Sequence, residues 1–208
     1  MPHETLSSPA TSNSTPAKRM NLSMKRTIIG VAIASVVLFF WGFVYWGLGP
    51  YKTMIWKHTR DDAAAGTALR DHFPENGTYL VPSFANDEAT MESLSKKGPV
   101  ALVHMIAVGG AETFDPMMLV KGFCLNVIVI TLIAILLRPV VSSLPTYTNR
   151  VMFVALAGLA AALLIDGGDV AWWHISWTWK LYQAFYSFSF WVITGLILAW
   201  FVTPKPAA

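Results

Sequence analysis

Two charged residues border long apolar runs, at depths where a membrane would enclose them. Lys121 lies five residues after the start of one run at Pro116, and Asp166 follows the end of another. At about 1.5 Å per helical residue, Lys121 would sit roughly 7–8 Å below the surface. An isolated charge is costly there, so one hypothesis is an ion pair between Lys121 and Asp166. The alternative is that Lys121 extends its ammonium to the surface and Asp166 caps a loop.

A set of uncharged polar residues also falls within the apolar runs. Gln183, Ser187 and Thr194 are spaced so that a helix would carry them on one face, and Asn126 is the deep amide of an earlier run. Polar groups in membrane helices find hydrogen-bond partners on neighbouring helices. These four residues are therefore predicted to face the interior of a helix bundle. Aromatic residues in the same last run would also suit a lipid or quinone groove, although such residues more often serve packing.

Metal binding is a second chemistry to consider, because imidazole and thioether groups suit copper(I). His104 and His174 are the candidate ligands, yet neither lies in a compact ligand motif. Scattered surface histidines and core methionines are the alternative. The single cysteine, Cys124, excludes an internal disulfide and any paired-cysteine metal or haem motif.

Catalytic signatures are absent from the sequence. It contains no Gly-x-Ser-x-Gly, no phosphate-binding glycine loop and no His-Glu-x-x-His. The sequence therefore predicts a protein that is not an enzyme and that binds no cofactor.

Composition indicates a membrane protein with several spans. The chain has 208 residues, 54% hydrophobic and 13% charged, with a mean hydropathy of +0.49. Soluble domains carry about 25% charged residues. The net charge of +3 is not gathered into a basic stripe, so nucleic acid is not an expected partner.

The apolar runs predict four transmembrane helices, since about 20 residues cross the hydrocarbon core. They cover residues 27–48, 116–137, 151–168 and 181–202. The third is the shortest and its ends are the least defined. The first follows a basic tail and has no cleavage site, which predicts an uncleaved signal-anchor helix.

The polar segments complete the predicted organisation. Residues 1–26, rich in Ser, Thr and Pro, are expected to be a disordered tail. Residues 49–115 read as helix, strand, helix, strand, a small α/β segment with little room for a core. Residues 169–180 form an aromatic loop. Six tryptophans are predicted to form an interfacial belt: Trp41, Trp46, Trp172, Trp173, Trp177 and Trp179.

Basic residues predict the orientation, because Lys and Arg concentrate in cytoplasmic loops. The loop 138–150 carries two arginines and no acid, and the N-terminal tail is also basic. Both termini, with the short tail 203–208, are therefore expected in the cytoplasm. The α/β segment and the aromatic loop are then outside, which in a bacterium means the periplasm.

These observations predict a membrane all-α protein: four helices, both termini inside, and a small extracytoplasmic α/β insertion between helices 1 and 2. The expected function is that of a non-catalytic accessory, assembly or scaffold subunit in the inner membrane. Its expected partners are the lipid bilayer and a membrane or periplasmic protein, and self-association stays open. The alternative is a membrane protein that binds copper or a hydrophobic ligand such as a quinone or lipid.

Overall fold

The computed structural model describes residues 16–204, with side chains from Met24 onward, and divides them into two units. The helical unit comprises residues 16–56 and 116–204, and the inserted unit is Lys57–Asp115. The inserted unit thus interrupts the helical unit once.

The helical unit contains five α-helices and several short stretches of tighter or wider helix. The α-helices are α1 (Pro16–Gly42), α4 (Pro116–Val140), α5 (Tyr147–Ala162), α6 (Gly168–Trp173) and α7 (Trp177–Phe201). Wide π-helical turns follow α1 at Phe43–Gly47 and Tyr51–Ile55, and another joins α5 to α6 at Leu163–Gly167. A short 3₁₀ turn, Val141–Ser143, follows α4.

Four helical stretches are long and apolar enough to cross a membrane, which confirms the prediction of a multi-pass membrane protein. They are Met24–Ile55, Pro116–Ser143, Tyr147–Trp173 and Trp177–Phe201. The third is longer than predicted, because the chain stays helical through Asp166 and on to Trp173.

The first helix begins earlier than the sequence predicted. Pro16 opens α1, a position that suits proline because the first turn needs no N–H bond. No helix breaker stands between Pro16 and Thr27, so residues 16–26 are helical rather than a disordered tail. The rest of the predicted tail, residues 1–15, lies outside the described residues.

The core of the helical unit is apolar and lies between α1, α4, α5 and α7. Fully enclosed side chains include Leu38, Ile130, Leu137, Val154 and Leu198. α7 packs against both α1 and α5, whereas α4 packs mainly against α1. No residue of α4 before Ile130 is buried, so only its second half joins the core.

Arginine side chains hold the last turn of α7, at what we call the arginine end. Buried Arg150 donates from Nε to the carbonyl of Ala199 (3.0 Å) and from Nη1 to the carbonyls of Leu144 and Pro145. Arg26 donates to the carbonyl of Trp200 at 3.2 Å. Both cations therefore neutralise the partial negative charge of a helix C-terminus.

Two tyrosines join the π-helical turn after α1 to α7 at the opposite end, which we call the tyrosine end. The hydroxyl of Tyr45 donates to the carbonyl of Tyr182, and that of Tyr182 donates to the carbonyl of Tyr45, each at 2.7 Å. Their rings also contact Trp46. The π-helical turn leaves backbone carbonyls without helical partners, and Tyr182 satisfies one of them.

The inserted unit contains α2 (Asp62–His72), β1 (Gly77–Val81), α3 (Glu88–Lys97) and β2 (Ala101–Met105), in the order that the sequence predicted. The strands are antiparallel, with Gly77 opposite Met105 and Val81 opposite Ala101. α3 is consequently not the crossover of a parallel βαβ unit.

Aspartates cap both helices of the inserted unit. Asp61 accepts from the amide of Ala64, and Asp87 accepts from the amide and the hydroxyl of Thr90. The hydrogen bond from the Thr90 hydroxyl holds the pKa of the Asp87 carboxyl below its usual value, and the bond from the Thr90 amide contributes after it. Gly98 ends α3 with a φ of 65°, which glycine adopts without strain.

A glycine on α5 provides a test of how closely α5 and α7 pack. A Cβ on Gly158 would lie 2.2 Å from the Cβ and Cγ of Trp191, whereas one on Gly122 of α4 meets nothing within 4 Å. Gly158→Ala should lower the free energy of unfolding by about 1–3 kcal/mol, because the helices must separate. Gly122→Ala should leave it unchanged or slightly higher, since alanine favours helix. SDS titration in mixed micelles measures both, and equal effects would contradict the packing.

Candidate functional site

Three charged side chains form a buried network near the tyrosine end of the helical unit. The Lys180 ammonium lies 2.5 Å from Oδ2 of Asp169 and 3.3 Å from Oδ1 of Asp166. The side chains of Lys180 and Asp166 are 10% and 8% exposed, and that of Asp169 is 32% exposed. Two carboxylates against one ammonium leave this network, the Lys180 triad, with a formal charge of −1.

Local helix geometry brings the triad together. Asp166 lies in the π-helical turn and Asp169 in α6, three residues later on the same face. α6 ends at His174, which adopts a left-handed conformation with φ 53°, and α7 starts at Trp177. This short turn folds α7 back along α5, so residues at similar distances from the turn face each other.

The hypothesis of an ion pair between Asp166 and Lys121 was wrong, because Asp166 pairs with another lysine. Lys121 is exposed in the half of α4 that contributes nothing to the core, while Lys180, fourteen residues after Asp166, supplies the charge. In the sequence Lys180 is the last residue of the predicted aromatic loop. The sequence signal that points to it is the near-symmetric placement of Asp166 and Lys180 about the turn at His174.

A cavity of about 310 Å³ lies beside the triad. Its polar lining comes from Asp166, Lys180, Gln183, Tyr186 and Ser187, and its apolar lining from Trp46, Ala161, Ala162, Ile165 and Trp191. α5, α7 and two of the π-helical turns supply these residues, and α4 supplies none.

Gln183 has an unsatisfied group next to this cavity. Its Oε1 is fully enclosed and has no hydrogen-bond donor among the residues that the structure describes. An enclosed acceptor without a donor costs about 1–3 kcal/mol.

The predicted polar face divides in the structure. Gln183 and Ser187 line the cavity, but fully buried Thr194 donates to the carbonyl of Phe190 in its own helix at 2.8 Å. Asn126 lies half-buried on α4, which does not reach the cavity. Only two of the four residues therefore share a site.

The six predicted belt tryptophans also occupy two kinds of position. Trp172, Trp173 and Trp177 are 81%, 59% and 64% exposed. The others pack within the helical unit: Trp41 donates to Ser189 at 2.9 Å, and the rings of Trp46 and Trp179 are 5.9 Å apart. An interfacial role for the exposed three stays a prediction.

The two candidate metal ligands belong to different units, His104 to the inserted unit and His174 to the helical unit. His104 Nδ1 lies 2.7 Å from the hydroxyl of Thr78, directly across the two strands, and His174 ends α6. Across residues 16–204, no three His, Cys, Asp or Glu side chains gather as a metal site would require.

A second concave surface belongs to the inserted unit. Within residues 57–115, all of which the structure describes, Pro82 is the single buried residue. An open groove of about 830 Å³ occupies the place of a core, mostly lined by apolar side chains, among them Phe73, Tyr79, Val81, Phe84 and Leu94. We call this surface the Phe84 groove.

The Lys180 triad predicts a non-additive mutational response. Lys180→Met should lower the free energy of unfolding by about 3–5 kcal/mol, because it leaves Asp166 buried without a counter-charge. Adding Asp166→Asn and Asp169→Asn to that variant should recover most of the loss. SDS titration in mixed micelles measures each variant.

Lys121→Met is the matched control for the triad, because Lys121 is exposed on a neighbouring helix. It should change stability by no more than about 0.5 kcal/mol. Strictly additive losses in the combined triad variant would contradict the network.

Comparison with known proteins finds no relative for this chain. It matches no protein-family model, and searches of curated proteins and of solved structures give no significant match. Its function is therefore inferred from the arrangement of its own side chains.

Proposed function

We propose that this protein is a non-catalytic accessory, assembly or scaffold subunit of an inner-membrane complex, and that the inserted unit binds a partner protein. In this proposal both termini are cytoplasmic, and the inserted unit lies on the other side, which in a bacterium is the periplasm.

The Phe84 groove is the observation that carries the proposal. A unit of this size stabilises itself with difficulty even when it has a core, and a two-stranded sheet is marginal alone. Here large hydrophobic side chains of the groove stay open to solvent, with Phe84 79% exposed and Leu94 42% exposed. An apolar segment of a partner seated in the groove would cover Phe84 and supply the missing core.

Charge favours a protein over a lipid surface as the occupant. The inserted unit has nine acidic and five basic residues, a net charge of −4. Anionic membrane surfaces attract basic segments and repel acidic ones. The partner segment expected here is apolar with basic flanks.

The arginine end supports the proposed orientation. Arg26 and Arg150 both bond the last turn of α7, so the start of α1, the loop before α5 and the end of α7 meet at one end. Positively charged residues concentrate on the cytoplasmic side of membrane proteins.

The alternative function is the binding of copper or of a hydrophobic ligand, and these two possibilities have different support. Copper binding is not favoured by any cluster of His, Cys, Asp or Glu within residues 16–204. His104 lies 2.7 Å from the hydroxyl of Thr78, and His174 follows α6. Binding of a hydrophobic ligand is favoured by the cavity beside the Lys180 triad, which is independent of the Phe84 groove.

Mild detergent extraction of the full chain, with a photoreactive amino acid at position 84, tests the docking proposal. Position 84 should cross-link one partner protein reproducibly. Phe84→Asp should reduce recovery of that partner by about tenfold or more, because a carboxylate in the apolar contact costs at least 1.4 kcal/mol.

Ile106 provides the matched control, because it is as exposed as Phe84 but does not line the groove. Ile106→Asp should retain the partner, and a photoreactive group at 106 should give no equivalent product. A clean monomer in mild detergent, or equal loss in both variants, would contradict the proposed docking.

A further inference from the structure

The Phe84 groove follows the strand β1 of the inserted unit. Four consecutive residues of β1, Thr78 to Val81, line the groove, and no residue of β2 does. Neighbouring residues of a strand point to opposite faces of a sheet, so both faces of β1 contribute. A groove on one face would include side chains of both strands, because β2 pairs with β1 along its whole length. The groove therefore runs along the edge of β1 that faces away from β2.

That edge of β1 has backbone groups without partners. The sheet has two strands, so β1 has one edge paired with β2 and one free edge. Every second residue of an antiparallel strand directs its N–H and C=O toward the free edge. Within the inserted unit, every residue of which the structure describes, no backbone group outside the β1–β2 ladder bonds to residues 77–81. Such a row of donors and acceptors is a template for another strand.

β1 lacks the features by which proteins usually protect a free edge. Charged residues, proline or a covering element do this in most sheets. Gly77–Val81 contains no charged residue and no proline. Beside the edge, Phe84 and Leu94 of the groove present apolar side chains that are themselves exposed. The free edge thus combines unpaired backbone groups with an apolar lining.

We propose that an extended segment of the partner binds in the Phe84 groove as a third strand, paired with the free edge of β1. The backbone of the segment bonds to β1, and every second side chain packs against the apolar lining. This proposal rests on the proposed function, because it states the conformation in which the partner's segment docks.

A strand satisfies this edge better than a helix does. A helical segment could fill the groove with side chains, but its backbone groups already bond within the helix and would leave β1 unpaired. β1 has five residues, so the paired part of the segment spans about 17 Å. The excess of acidic residues in the inserted unit favours Lys or Arg on both sides of the paired part. The expected segment therefore alternates apolar and polar residues between basic flanks.

A synthetic peptide tests the added strand in the full chain. The probe is the capped peptide Lys-Lys-Val-Thr-Val-Thr-Val-Lys-Lys, titrated by calorimetry against the protein in nanodiscs of zwitterionic lipid, with empty nanodiscs as the blank. Three derivatives carry backbone N-methyl groups on the valines, on the threonines, or on all the valines and threonines. Each N-methyl group removes a backbone donor and blocks its edge of the peptide, while the side chains stay the same.

Binding should depend on a free edge of the peptide. The parent peptide should bind with one site per chain. The fully methylated peptide should bind about tenfold more weakly or worse, because neither of its edges can pair. At least one of the single-edge derivatives should bind within about threefold of the parent, since its unmodified edge can still face β1.

Hydrogen exchange and two variants locate the pairing. Bound peptide should slow the amide exchange of Gly77–Val81 and leave that of Ala101–Met105 unchanged, because no residue of β2 lines the groove. Phe84→Gln should weaken binding of the parent peptide about tenfold, whereas Ile106→Gln, outside the groove, should leave it within about twofold. Both substitutions are neutral, so the attraction of the protein for the basic flanks is unchanged.

Four separate results would overturn the added strand. They are parent binding no greater than the blank, equal binding of the parent and the fully methylated peptide, equal losses in all three derivatives, and slower exchange at Ala101–Met105 instead of Gly77–Val81. A partner that cross-links from position 84 despite such a result would keep the proposed function and exclude only the strand. Absence of any cross-linked partner contradicts the proposed function, whereas the peptide titration does not depend on a cellular partner.

Discussion

The buried ammonium of Lys180 must be paired with negative charge, and the path of the chain through α5, α6 and α7 provides this pairing. A cation next to apolar helices needs counter-charges, and two aspartates provide them from the preceding helical stretch. To reach Lys180, the chain stays helical past Ala162 through a π-helical turn and reverses within three residues at His174. The close contact of α5 with α7, including Gly158 under Trp191, accompanies that hairpin.

At the other end of α7, the buried cation Arg150 is paired with backbone carbonyls and not with carboxylates. No carboxylate bonds Arg150 in the described chain; three backbone carbonyls accept from its guanidinium instead. α7 is thus fixed by a cation within its first turn and by cations outside its last turn. The arginines interact with the partial charges at the C-terminus of the helix, whereas Lys180 interacts with the full charges of two carboxylates.

The sequence predicted the four apolar helices and the order of elements in the inserted unit. Both depend on local properties: run length, hydropathy, and caps such as Asp61 and Asp87. It did not predict the partner of Asp166, because that depends on where a turn reverses the chain. It also did not predict the Phe84 groove, since residue pattern indicates which side chains are apolar but not whether elements close over them. For the same reason the sequence groups Gln183 with Thr194 and Asn126, whereas in the structure Gln183 and Asp166 line one cavity.

The uneven packing of α4 has a consequence for the surface of the helical unit. Its second half packs against α1 through Ile130, Ile133 and Leu137, whereas no residue of α4 before Ile130 is buried. In that first half the side chains of Met118, Val120 and Leu125 are 58%, 54% and 60% exposed. In a helix that crosses a membrane, apolar side chains at the surface contact lipid or a neighbouring helix. Helix α4 thus contributes its second half to the core and its first half to the outer apolar surface.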